Sequence, residues 1–141
     1  MATTTFLSNA TVNITQGVTT WDVSDQCSAV SVVVGKSELS ATVMGDTGEK
    51  MVGGLQSVEV SMTLFLSYGT GEVEEMLAAI VGTGTTTLVI SPSGTTESAS
   101  NPEYTITNAM CPSASVINST VGELATVELS FTAGTWARDI V

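Results

Sequence analysis

The chain has 141 residues, about one domain's worth. Only 12% are charged, roughly half the share of an average soluble protein, and the signs are lopsided: 14 acids against Lys36, Lys50 and Arg138, for a net charge of −11. The absence of histidine excludes Ser-His-Asp and Cys-His nucleophiles and imidazole zinc sites, and three scattered bases exclude a phosphate-gripping basic patch.

In chain order, Met1 to Asn9 shows neither the basic start nor the long apolar stretch of a secretory leader, and no later apolar run approaches the ~20 residues that span a bilayer. The expectation is therefore a protein made in a cytosol, with no membrane partner. Thr, Ser, Val and Gly dominate the composition, which favours strands joined by glycine turns. Short alternating patterns predict strands at Ala10–Ile14, around Val30, Val32 and Val34, at Thr86–Ile90 and at Tyr104–Met110. The longest predicted strand runs from Leu55 to Leu66, with Val58, Val60, Met62, Leu64 and Leu66 on one face. Glu59, Ser61, Thr63 and, exceptionally, Phe65 occupy the other. Ala125, Val127, Leu129 and Phe131 mark the last strand. One buried and one polar face per strand is the pattern of antiparallel sheets.

A single segment follows another period. Val73, Met76, Leu77, Ile80 and Val81 fall at helical spacing within Glu72–Val81 and form the expected packing face of one helix. Glu72, Glu74 and Glu75 sit in its first turn, where the helix dipole favours negative charge; Thr70 is the expected N-cap and Gly82 the stop. Gly45–Gly54, with four glycines and mixed charges, is expected as a long exposed loop. Ser91–Pro102 is a second polar connection. No linker or repeat divides the chain, so one domain over residues 1–141 is expected.

Chemistry-bearing constellations are few. The glutamates at 72, 74 and 75 are better explained as a solvated helix start than as a catalytic set. Asp22 and Asp25 flank a turn after Trp21. No EF-hand spacing occurs, Gly82-Thr83-Gly84 lacks the lysine of a phosphate loop, and Cys27 and Cys111 lack a base. The two cysteines are expected as free thiols. No enzyme activity, cofactor or metal is expected.

Certain short strings recur in a familiar order. Met44-Gly45-Asp46-Thr47 is followed by Gly53-Gly54-Leu55, the long alternating strand, Tyr68 with Gly69 and Gly71, and the acidic helix. Then come Val81-Gly82, Ser91-Pro92, Asn101-Pro102-Glu103-Tyr104 and Val121-Gly122-Glu123-Leu124-Ala125, with Gly134 and Arg138 near the end. Over residues 41–138 this succession resembles the tail tube (major tail) proteins of long-tailed bacteriophages, particularly those of actinobacteria; Ser67-Tyr68-Gly69 departs from it by lacking an acidic residue. The resemblance implies an antiparallel β-sandwich or partial barrel with one flanking helix. It further implies hexameric rings stacked into a hollow tube that conducts DNA, in the virion tail after assembly and the host cytoplasm before it. The implied partners are the chain itself and the tape-measure, terminator and distal tail proteins, with DNA passing through without specific binding.

By that analogy Met44, Gly45, Asp46, Thr47, Gly48, Glu49, Lys50, Met51, Val52, Gly53 and Gly54 form the loop that reaches the neighbouring ring. Glu59 and Glu128, on otherwise polar strand faces, are the candidate lumen-facing acids. A negative channel would repel DNA phosphates and limit adhesion. The alternatives are another ring-forming tail component (a distal tail protein or terminator) and a cell-surface-binding β-sandwich, for which Trp21, Trp136, Tyr68 and Tyr104 are the aromatic material. A two-carboxylate hydrolase is the most distant.

Overall fold

A computed structural model describes residues 10–94 and 98–140; the leader expectation for residues 1–9 lies outside them. Eight strands and one helix follow one another as β1 (Thr11–Gln16), β2 (Thr19–Asp22), β3 (Cys27–Ser40), β4 (Met51–Phe65), α1 (Val73–Ile80), β5 (Thr86–Ser91), β6 (Glu103–Ala109), β7 (Thr126–Thr132) and β8 (Thr135–Asp139). They form two antiparallel sheets, five-stranded in the order β2-β1-β5-β6-β8 and three-stranded in the order β3-β4-β7. Apolar residues on alternate positions face inward from both sheets. Val12 and Ile14 of β1, Leu88 and Ile90 of β5, Ile106 of β6, Val58 to Leu64 of β4, and Val127, Leu129 and Phe131 of β7 are all buried.

The helix adds Val73, Met76, Leu77 and Ile80 to the same core, with Val81 half-buried beside it. Its N-cap is Glu72, in an extended conformation, where the sequence pointed to Thr70. Other groups take the early donors: the Val73 N–H donates to the Ser67 hydroxyl at 3.3 Å, the Glu74 N–H to the Ser67 carbonyl, and the Gly71 N–H to the Glu75 carboxylate. Gly82 follows the C-cap with φ of +82° and turns the chain out of the helix.

The largest correction concerns the expected loop at 45–54. Met51, Val52, Gly53 and Gly54 begin β4 and pair with β3, Met51 opposite Ser40, Val52 opposite Leu39 and Gly53 opposite Glu38. The connection is residues 41–50, and β3 and β4 form one long hairpin. Between Lys36–Gln56 and Glu38–Gly53 the register shifts, because two residues of β4, Gly54 and Leu55, face one of β3, Ser37. Gly54 in that bulge lies against the Ser37 hydroxyl and the Leu39 side chain, both of which would have to give way to a side chain there. The glycines that looked like loop signals are thus a strand irregularity.

Two strands went unseen in the sequence. β2 has four residues and one buried side chain, Trp21; β8 has five, of which only Trp136 is even half-buried. Neither offers a full alternation.

Candidate functional site: the sheet edges and the β3–β4 hairpin

Hydrogen-bond parity shows which edges of the three-stranded sheet are open. Thr132 exchanges both backbone hydrogen bonds with Met110 at 2.9 Å, so its polar groups point away from β4. In β7 the even-numbered residues therefore face outward in the sheet plane. Following the ladder through β4, whose Phe65 N–H donates to Gln26, the outward groups of β3 are those of Val30, Val32 and Val34. Among the described residues no strand pairs with that edge. The β7 edge differs. Residues 110–118 run back along it, Met110 bonding Thr132 at one end and the Asn118 amide donating to the Thr126 carbonyl at 2.9 Å at the other.

Beside β3 the two sheets part. An apolar groove of about 230 Å3 opens there, lined by Ala10, Val30, Val32, Ile90, Ser91, Pro92, Pro102 and Tyr104. On the outer face of the same sheet lies a shallow trough of about 570 Å3. Its polar lining comes from Ser31, Ser61, Thr63, Ser113, Glu128 and Ser130. Glu59 shares that face, opposite Val33 and Thr132, while Glu128 stands opposite Thr63. Four residues of strand separate those two positions, placing their backbones about 14 Å apart.

The hairpin is the third feature. Beyond Gly35 and Gln56 it has, among the described residues, no partner strand but itself, and it runs out for about 17 Å before the 41–50 connection. Its surface is apolar for so exposed an element: Leu39, Val43, Met44 (102% exposed), Met51, Val52 and Leu55 (85%) are all open. The tip is nevertheless ordered by its own polar groups. Val43 N–H donates to the Asp46 carboxylate at 2.9 Å, Lys50 pairs with Asp46 at 2.9 Å, and the Thr42 hydroxyl accepts the Lys50 N–H at 2.9 Å. The Lys50 ammonium, then the Val43 N–H, hold the Asp46 carboxyl below its ordinary value. At the root, the Trp136 indole N–H donates to the Gly35 carbonyl at 3.3 Å and the Trp136 backbone N–H to Gln56 at 3.2 Å, with Tyr104 tilted against the ring. The tryptophan pins the hairpin's departure angle.

The remaining polar residues serve local structure. The Asp22 carboxylate accepts the Ser24 N–H and hydroxyl, which makes the turn after Trp21. Hydrogen bonds from Ser67 and then Gln26 hold the Glu72 carboxyl below its usual range. Cys27 and Cys111 are free thiols, and burial pushes both up, away from the reactive thiolate. Among the described residues no cluster of His, Cys, Asp and Glu could hold a metal, and no helix is long and apolar enough to cross a membrane.

No family model matches the chain, and no curated protein matches it. Solved structures do. A chain from the sheath/tube terminator of an extracellular contractile injection system (PVC) in its extended state superposes with TM-score 0.66 at 14% identity, over 98% of each chain. A chain from the tube-terminating cap of the anti-feeding prophage gives 0.62 at 12%, covering 100% of this chain and 95% of that one. A chain from the virion of the native gene transfer agent gives 0.61 at 13%, covering 91% and 95%. The antiparallel, one-helix sandwich is thus a tail-tube-like fold.

Proposed function

We propose that this chain is a tail-tube subunit of a long-tailed bacteriophage of the actinobacterial kind. Its copies form rings, six to a ring by the resemblance, and the rings stack into a hollow tube through which DNA passes into the host. The observation that carries this is the β3–β4 hairpin, which stands clear of the sandwich with an ordered tip and open apolar side chains. A monomer gains nothing from exposing Leu39, Val43, Met44 and Leu55 together, whereas a stacked ring covers them. In this role residues 41–50, continued into Met51–Gly54, reach the neighbouring ring. The hydroxyl-rich outer face of β3-β4-β7 lines the channel, where Glu59 and Glu128 keep phosphates from adhering.

The chain acts as one domain, without catalysis, and is found in the virion tail after assembly in the host cytoplasm. Tape-measure, terminator and distal tail proteins are its further partners. A ring that ends a tube is the second possibility, favoured by the likeness to terminator and cap chains. Sedimentation velocity over a concentration series separates the cases. A tube subunit grows into ever larger species, a terminator stops at one ring, and a monomer at every concentration overturns both.

A further inference from the structure

We propose that Asp46 builds the tip of the β3–β4 hairpin in the free subunit, so that the apolar turn carrying Met44 is a finished contact before two rings meet. This rests on the ring-stacking role argued above and makes Asp46 a positioning residue for it.

Residues 43–46 form a β-turn. The Asp46 N–H donates to the Val43 carbonyl at 3.2 Å, and Gly45, third in the turn, has φ of +96°. Glycine adopts that angle without strain, as a type II turn requires at this position. The same turn is closed a second time by a side chain. One oxygen of the Asp46 carboxylate accepts the Val43 N–H at 2.9 Å, and the other holds the Lys50 ammonium at 2.9 Å. Asp46 therefore ties the start of the turn to the residue that leads into β4. Beneath it the two arms are already joined: the Ala41 N–H donates to the Lys50 carbonyl at 2.8 Å, and the Lys50 N–H to the Thr42 hydroxyl at 2.9 Å.

These polar groups are spent on one another, which leaves Val43 and Met44 open at the apex. A tip without such ties would have to be ordered at the moment of contact, and that ordering subtracts from affinity. A tip set in advance escapes the cost. Charge points the same way. A subunit carrying −11 has three basic side chains, and one of them, Lys50, is committed to this carboxylate. Left unpaired, the Asp46 charge would stand beside the apolar turn and repel an equally acidic neighbour.

The experiment uses the full chain and follows amide exchange in dilute, unassembled protein and sedimentation velocity as concentration rises. Asp46→Ala removes both carboxylate contacts. Asp46→Asn keeps an acceptor for the Val43 N–H and loses the ion pair. Gly45→Ala touches neither contact but strains the turn, since an alanine must take φ of +96°. In the free subunit the Val43 N–H should exchange about tenfold faster in Asp46→Ala than in the wild type. Asp46→Ala and Gly45→Ala should each need about tenfold more protein to assemble, at an unchanged melting temperature, and Asp46→Asn less than that. The double variant should be no worse than either single one, because both break one turn. Equal Val43 exchange in wild type and Asp46→Ala overturns the preset tip; additive effects in the double variant overturn the shared turn. Unchanged assembly of Asp46→Ala, with Val43 exchange accelerated, overturns the positioning role alone. A wild-type chain that never assembles overturns the tube function and that role with it, while Val43 exchange still decides whether Asp46 builds the tip.

Discussion

Trp136 gives the sharpest separation between a residue that stabilises the sandwich and one that aims the hairpin. Replacing it with Phe keeps most of the ring against Tyr104 but removes the indole N–H that donates to the Gly35 carbonyl. One such bond contributes about 1 kcal/mol net. Replacing it with Ala also removes the aromatic contact, about 0.5–1.5 kcal/mol, and part of the ~3–5 kcal/mol of a fully buried aromatic, reduced because Trp136 is only half-buried. The totals are about 1 kcal/mol for Trp136→Phe and about 3 kcal/mol for Trp136→Ala. For a chain of this length 1 kcal/mol corresponds to a fall in melting temperature of about 4 °C. The comparison is with Ile14→Val in the core, also worth about 1 kcal/mol but distant from the hairpin. Calorimetry should show equal melting temperatures for Trp136→Phe and Ile14→Val. Amide exchange should nevertheless show faster exchange at the hairpin root only in Trp136→Phe, and sedimentation should show weaker assembly only there. If assembly follows melting temperature alone, with no difference between the two, the hairpin's direction is irrelevant to assembly.

Other consequences follow from individual contacts. The Glu72 carboxyl is lowered by Ser67 and Gln26, so its contribution is present above its ordinary value of 4.5 and is lost as pH falls through the lowered folded value. Acid unfolding of Glu72→Gln should therefore show a shallower pH dependence below 4.5 than the wild type, and an unchanged profile would remove the carboxylate from the helix start. Gly134 has φ of +93°, and a side chain there would strike the Thr107 carbonyl; Gly134→Ala should cost about 2 kcal/mol in urea unfolding, and a neutral result would refute the tight β7–β8 turn. Glu59→Lys with Glu128→Lys should make assembled tubes retain short DNA at low salt and release it at high salt. Retention equal to wild type would take those acids out of the channel.

Much of the fold was legible because burial on one face writes a period into the chain. Val58 to Leu64 and Val127 to Phe131 repeat every second residue, and Val73, Met76, Leu77 and Ile80 at helical spacing. What was not legible depended on contacts between distant positions. The outer half of the hairpin buries nothing, so Met51–Gly54 carried no alternation and its glycines read as a loop. β8 is a strand only because β6 lies beside it, Trp136 opposite Ile106. The sites fared worse than the fold. The groove is made by β3, β5 and β6 together with Ala10, Pro92 and Pro102, and the cover over β7 by residues 110–118, which form no strand. Neither leaves a local pattern. The sparse charge left one visible trace: residues 27–35, at the β3 edge, and residues 110–118, along the β7 edge, carry no charged side chain.

Electron microscopy of the purified full-length chain, concentrated at moderate salt to screen −11 per subunit, tests the central claim most directly. The account predicts hollow, axially repeating tubes built of stacked rings. A field of single subunits that never associate at any concentration would contradict it.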